Sequence, residues 1–244
     1  MAPVEIVEIL RPAEQGRSEP YLCRGEDDNH YFVKGRQTDR RSLWCEWMCS
    51  HLGHAFGLPI PPFRVVNVSP ALLNETPPAL RNLGVGPAFG SQQAKNLQWF
   101  EPTLVVRVPE ALRRDILVFD WWIRNLDRMD GNPNLLWEPI DGSVAVIDFN
   151  QAFDPDFSLC AFSEFHLFRA DAVGVFDDLA ERAQYLERLE RALVVWDEAC
   201  NNAPLEWAWE NDERDVPATF DPLLLRTKLS GLLDPQNPDC WRIE

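Results

Sequence analysis

The sequence predicts an α+β protein of two lobes: a small antiparallel β lobe with one helix, followed by a mainly helical lobe. Three observations predict it. Residues 4 to 93 break into short apolar runs separated by turn residues, with one helical segment among them. Composition shifts near residues 95 to 103. After that point the apolar spacing becomes that of helices, interrupted by one hairpin. The boundary falls at residue 94, dividing the chain into 1–94 and 95–244, with a cleft expected between the lobes.

Each element has a local reason. Val4 to Leu10 and Tyr21 to Cys23 read as strands joined by the turn Gln15-Gly16-Arg17-Ser18, and Glu26 to Asn29 turns the chain into a third strand, His30 to Lys34. Asp39 to Phe56 reads as a helix, with Leu43, Trp47, Ser50, His51 and His54 at helical spacing and Gly57 as its stop. Pro59-Ile60-Pro61-Pro62 forces extended chain, and Phe63 to Val68 follows as a strand. Ser69 to Leu83 is turn-rich with one short helix, and Pro87 to Gln93 is a further strand running into the linker. Pro109 to Asn125 is a helix begun by proline. The polar loop Leu126 to Pro133 leads to a strand at Asn134 to Trp137, a turn at Asp141-Gly142 and a strand at Ser143 to Phe149. Asp178 to Ala199 is amphipathic, with Leu179, Ala183, Leu186, Leu189, Leu193 and Trp196 on one face. Leu223 to Leu233 is a shorter helix.

Composition excludes several classes. A net charge of −16 over 244 residues speaks against non-specific nucleic-acid binding, which needs clustered cations. No apolar run is long enough to span a membrane, and no signal peptide is visible, which points to the cytoplasm. The six cysteines have no Cys-x-x-Cys spacing and read as reduced. Cys45, Cys49, His51 and His54 are not a metal set: from Cys45 the others fall about 40°, 240° and 180° around a helix, too far apart for one tetrahedral ion.

The densest chemistry lies in Phe119-Asp120-Trp121-Trp122-Ile123-Arg124-Asn125-Leu126-Asp127-Arg128-Met129-Asp130-Gly131-Asn132-Pro133-Asn134-Leu135-Leu136-Trp137, followed by Ile147-Asp148-Phe149-Asn150. Singly, Asp127 and Asn132 are ordinary turn residues and Asp148 is a strand-end cap. Together they match the needs of phosphoryl transfer: a carboxylate to accept the proton of the attacking hydroxyl, and an amide oxygen plus a second carboxylate to hold Mg²⁺ or Mn²⁺. Asp127 and Asn132 have the D-x-x-x-x-N spacing of a kinase catalytic loop. Upstream, only three of the 23 Lys/Arg residues are lysine, and one of these, Lys34, ends the third strand. A phosphate-binding lysine belongs there, held by a glutamate on the next helix, and Glu46 occupies that position. Lys95 and Lys228 have no such context. Gly16 and Ser18 sit where a phosphate-cradling loop would lie, with one glycine in place of several.

Tyr31-Phe32-Val33-Lys34, Glu46, Leu58-Pro59-Ile60-Pro61-Pro62, Phe89-Gly90-Ser91 and the Asp-Arg…Asn-Pro-Asn-Leu-Leu…Ile-Asp block resemble the short HipA-like kinases, relatives of the HipA serine/threonine-kinase toxins. The resemblance covers roughly residues 4 to 210. It implies a bilobal kinase-like fold that uses ATP and Mg²⁺. It implies Asp127 as catalytic base, Arg128 as a support for the catalytic loop or the phosphates, Asn132 and Asp148 as metal ligands, Lys34 as phosphate ligand and Glu46 as its partner. Phe89 and Ser91 would lead into the hinge beside adenine. Asn150 stands where the pattern has glycine, and the expectation is that it takes the left-handed turn there. The reaction implied is phosphorylation of a Ser/Thr hydroxyl on a protein, with a small antitoxin-like partner. A small-molecule or lipid-headgroup phosphotransferase and a non-catalytic pseudokinase are the alternatives.

Overall fold

The computed structural model describes residues 2–13, 19–94, 96–237 and 241. Lys95 and the turn containing Gly16 and Ser18 lie outside the described residues. The chain divides into two compact units. The first contains residues 1–47, 61–95 and 201–220, and the second contains 48–60, 96–200 and 221–244. The chain therefore passes from one unit to the other several times, whereas the sequence reading draws one boundary at 94.

The first unit is built on β1 (Val4–Pro12), β2 (Tyr21–Gly25), β3 (His30–Lys34), β4 (Phe63–Val68) and β5 (Gly86–Gln92), which close into a barrel in the order β1-β2-β3-β5-β4. The expected sheet is antiparallel throughout. The observed one departs from this at its closure, where β1 runs parallel to β4 through Val4↔Val66 and Glu5↔Asn67. The parallel pairing is available because the proline run and the helix before β4 return the chain in the required direction. Val4, Ile6, Tyr31, Val33, Val66 and Ala88 fill the barrel interior, as the period-two alternation of side chains requires.

The helix α1 (Arg40–Phe56) ends at Gly57, whose φ of +102° suits glycine and few other residues. Residues 42–50 of α1 are all buried, so this part of the helix shows no solvent stripe, and exposure returns at His54 and Ala55. A short helix, α2 (Pro70–Glu75), is capped by Ser69 with proline at its start, and a 3-10 turn (Pro78–Leu83) follows. The short helix expected within Ser69 to Leu83 is thus α2, and the 3-10 turn adds to it. Residues 201–220 also belong to this unit: Trp44 Nε1 donates to Trp207 O at 2.9 Å, and Trp207 Nε1 donates to Pro87 O at 3.0 Å.

The second unit holds a three-stranded sheet, β6 (Gln98–Trp99), β7 (Leu135–Trp137) and β8 (Val144–Val146). Its helices are α3 (Glu110–Trp122), α4 (Leu159–Phe165), α5 (Val173–Phe176), α6 (Leu179–Leu193) and α8 (Pro222–Gly231), and α7 (Trp196–Asn202) straddles the division. The segment expected as one helix over 178–199 breaks at Val194-Val195, whose N–H groups bond three residues back to Arg191 O and Ala192 O. Its buried face is Tyr185, Leu189, Ala192 and Trp196, while Leu179 and Ala183, expected on that face, are exposed. Among the described residues, no helix is long and apolar enough to cross a membrane.

Candidate active site

In the first unit, the ladder between β3 and β5 places Phe89 opposite Lys34 and Ser91 opposite Phe32. Gly90 lies opposite Val33, and a Cβ there would stand 2.6 Å from Val66 Cγ1, so the strands approach as they do because the residue is glycine. Phe89 is buried against Phe63, with ring centroids 6.0 Å apart. Lys34 Nζ donates to Glu46 Oε1 of α1. Both side chains are almost covered, at 9% and 3% exposure. Burying either charge alone would cost several kcal/mol, and the pairing offsets that cost. Gly16 and Ser18 fall outside the described residues.

In the second unit, the sequence expectation carries the helix to Asn125, but α3 ends at Trp122. Arg124 adopts a left-handed φ of +55°, and the Asn125 N–H closes back onto Asp120 O at 2.9 Å. The turn faces Asn125 toward the loop: its Oδ1 accepts from the Asp127 N–H at 3.1 Å. Met129 and Asn132 exchange backbone hydrogen bonds at 3.1 and 2.9 Å, folding the segment back on itself. That fold brings Asn132 Nδ2 to Asp127 Oδ2 at 2.8 Å, and Asn134 Nδ2 reaches the same oxygen at 3.0 Å. Among the described residues, no hydrogen bond to Asp127 Oδ1 is formed. Asn132 turns its amide nitrogen inward, which leaves its Oδ1 directed away from Asp127.

Arg128 is fully buried. Its Nε donates to Asp120 Oδ2 at 2.6 Å, and its Nη1 donates to Pro133 O at 3.1 Å and Asn134 O at 2.5 Å. Of the two expectations for Arg128, support of the loop is the one with contacts behind it. Asp120 also accepts from Asn125 Nδ2 at 2.9 Å and from His166 Nε2 at 3.0 Å. Burial pushes the Asp120 carboxyl up, but the Arg128 charge and the bonds from His166 and Arg128 outweigh it and hold the group below the ordinary carboxylate range. His166 Nδ1 accepts from the Phe168 N–H at 3.1 Å, which leaves the ring proton on Nε2 to face Asp120. Burial lowers the His166 pKa against the opposing pull of Asp120.

The strand expected over Ser143 to Phe149 covers only Val144–Val146. Asp148 lies beyond it in a left-handed conformation, with a φ of +59°, because the chain turns there. The Ile147 N–H donates to Asn134 O at 3.1 Å, tying the segment before Asp148 to the end of the loop that carries Asn132. Phe149 packs edge-on against Phe119 at 5.9 Å, beneath the Arg128 guanidinium at 5.6 Å. The left-handed residue of this turn is thus Asp148, and Asn150, expected to take that role, does not adopt positive φ. Asn150 is instead buried, and among the described residues its Oδ1 has no hydrogen-bond partner.

The oxygen donors suit a hard cation. Asn132 offers an amide oxygen and half-buried Asp148 a carboxylate. Among the described residues, no group of three or more His, Cys, Asp or Glu side chains forms a metal cage. Mg²⁺ needs none, because it is ordinarily held by one or two protein oxygens together with substrate phosphates and water.

A family model described as HipA-like kinase matches residues 6–243. The chain belongs to the HipA-like kinase family. A crystal structure of a Helicobacter pylori proinflammatory kinase, CtkA, superposes on this HipA-like kinase with a TM-score of 0.54. The two are 11% identical, and the match covers 98% of this chain and 97% of that one. The likeness is one of fold, here a mixed α+β arrangement of sheet and helices. No curated protein matches the sequence.

Sequence reasoning assigns no role to four residues of this HipA-like kinase site: Asp120, Asn125 and Asn134, which lie within the stretch from Phe119 to Trp137, and His166, which lies beyond it. For Asp120 a signal exists. It is a carboxylate within the apolar run Ile116 to Ile123, and a charge placed there must find a partner. No local spacing connects it to His166, 46 residues downstream.

Proposed function

We propose that this HipA-like kinase transfers the γ-phosphoryl group of ATP to a hydroxyl, with Ser or Thr of a protein as acceptor and Mg²⁺ as cofactor. The observation that carries the reading is the clamped carboxylate of Asp127. Asn132 and Asn134 fix one oxygen, which orients the other toward an incoming hydroxyl. In the transfer, the acceptor oxygen bonds to the γ-phosphorus as the bond from that phosphorus to the β–γ bridging oxygen breaks. ADP leaves, and the hydroxyl proton goes to Asp127. Lys34, held by Glu46, neutralises phosphate charge. Phe89 and Ser91 on β5 are assigned to the adenine side, and Arg128 to support of the loop. Asn132 Oδ1 and the Asp148 carboxylate would hold Mg²⁺, which supplies charge neutralisation on the phosphates.

The test has a binding arm and a turnover arm. ATP with Mg²⁺ at about a hundred times its Kd stabilises the folded chain by about 2.7 kcal/mol, read as a rise in Tm. No shift at millimolar nucleotide would sink the reading. With labelled ATP and cell lysate, the wild type labels a protein band, whereas Asp127→Ala and Asp148→Asn do not. Undiminished labelling by either variant contradicts its assigned role.

A further inference from the structure

We infer that Asp120 is a positioning residue: one buried carboxylate sets where Asp127 stands and how the turn from Asn132 to Asn134 folds. The inference rests on the phosphoryl-transfer reading above and concerns a residue to which the sequence pattern assigns no role. Asp120 is fully buried on α3 and, among the described residues, its carboxylate is not hydrogen-bonded to Asp127 or Asn132. Each group that donates to it has a second commitment nearby. Asn125 Nδ2 binds Asp120, and the Oδ1 of the same amide holds the Asp127 N–H. Arg128 Nε binds Asp120, and its Nη1 gathers the carbonyls of Pro133 and Asn134. His166 Nε2 binds Asp120, and the next residue, Leu167, donates its N–H to Arg128 O at 3.0 Å.

The carboxylate thus holds the loop at its start, its end and its far side. A buried ion pair that served stability alone would need no such second contacts. Here every partner of Asp120 transmits its position to the loop. A carboxylate fixed this way spares Asp127 the search for its reactive position, which is where misplacement by about 1 Å costs about a hundredfold in rate.

Three variants test this by steady-state kinetics and amide hydrogen exchange. Asp120→Asn leaves Arg128 buried beside an amide, so it is accompanied by two gentler changes. Arg128→Lys keeps the ion pair but loses the guanidinium fork. Asn125→Ala removes no charge. The expected result is a kcat at least about tenfold lower with KM for ATP within about threefold of wild type. Exchange at the amides of Asp127, Met129 and Leu167 rises at least about tenfold, while the β3 and β5 amides keep their protection. Wild-type kcat or wild-type exchange at those amides in folded Arg128→Lys and Asn125→Ala overturns the inference. So does a parallel rise in KM, or loss of cooperative unfolding in all three variants, either of which makes these residues general determinants of the fold. If the wild type itself transfers no phosphoryl group, the proposed function falls, and the exchange measurements still decide whether Asp120 holds the loop.

Discussion

Two buried ion pairs organise this protein at the scale of single residues. Lys34 with Glu46 and Asp120 with Arg128 each place opposite charges together in the interior. Neither pair is a strong source of net stability, because desolvation cancels most of the attraction. What each does is fix a geometry, and removing one partner exposes the cost. Glu46→Gln leaves the Lys34 ammonium facing an amide, and urea denaturation is expected to show a loss of about 3–5 kcal/mol. The double variant Lys34→Met/Glu46→Leu, with no buried charge, is expected to recover most of that stability while losing the nucleotide-induced rise in Tm. A stable Glu46→Gln would mean that the pair is solvated in solution. The Lys34 and Glu46 positions were legible because both sit at fixed places on local elements, a strand end and the next helix. The Asp120 cluster was not, since its members come from three segments that only folding brings together.

At the scale of elements, strands β3 and β4 begin and end where the alternation of apolar residues places them. Their limits are set by turn residues that act locally. The errors fall where a tertiary contact ends an element early. The α3 helix stops at Trp122 because Asn125 is drawn back to Asp120. The β8 strand stops at Val146, after which the chain turns through left-handed Asp148. The barrel wall also has a position with no room for a side chain. Gly90→Ala puts a Cβ against Val66, and overpacking of this kind costs about 1–3 kcal/mol. The measurable outcome is a lower urea midpoint with an unchanged m-value. A midpoint equal to wild type would show that β4 yields freely at Val66.

At the scale of the whole molecule, the two compact units are not consecutive stretches of chain. Residues 201–220 return to the first unit, where Trp207 binds the backbone of Pro87 and receives the Trp44 indole N–H. Global stability is also tied to pH through buried imidazoles. Burial, and then the charge of His54, lowers the His51 pKa to about 4, and burial lowers that of His166. Both histidines bind a proton more readily in the unfolded chain, where the ordinary value is about 6.5. Their contribution to stability is therefore complete above about pH 6.5 and is lost as the pH falls toward the folded-state values. Denaturant titrations between pH 7 and pH 5 should show stability falling by up to about 1.4 kcal/mol per pH unit for each such histidine. His51→Gln should flatten that slope. A flat profile for the wild type would mean that neither imidazole is buried in its neutral form.

By itself, the sequence determined the local chemistry: the strand-end lysine, the glutamate on the next helix, the Asp127 to Asn132 spacing and the aspartate after the hairpin. These are legible because each depends on neighbours a few residues away, where backbone geometry leaves little choice. The tertiary structure alone decided the parallel closure of β1 on β4, the return of residues 201–220 and the convergence of Asp120, Asn125, Arg128 and His166. Those outcomes depend on burial and on hydrogen bonds between distant segments. A buried charge announces that it needs a partner, but only the packed chain determines which partner it finds.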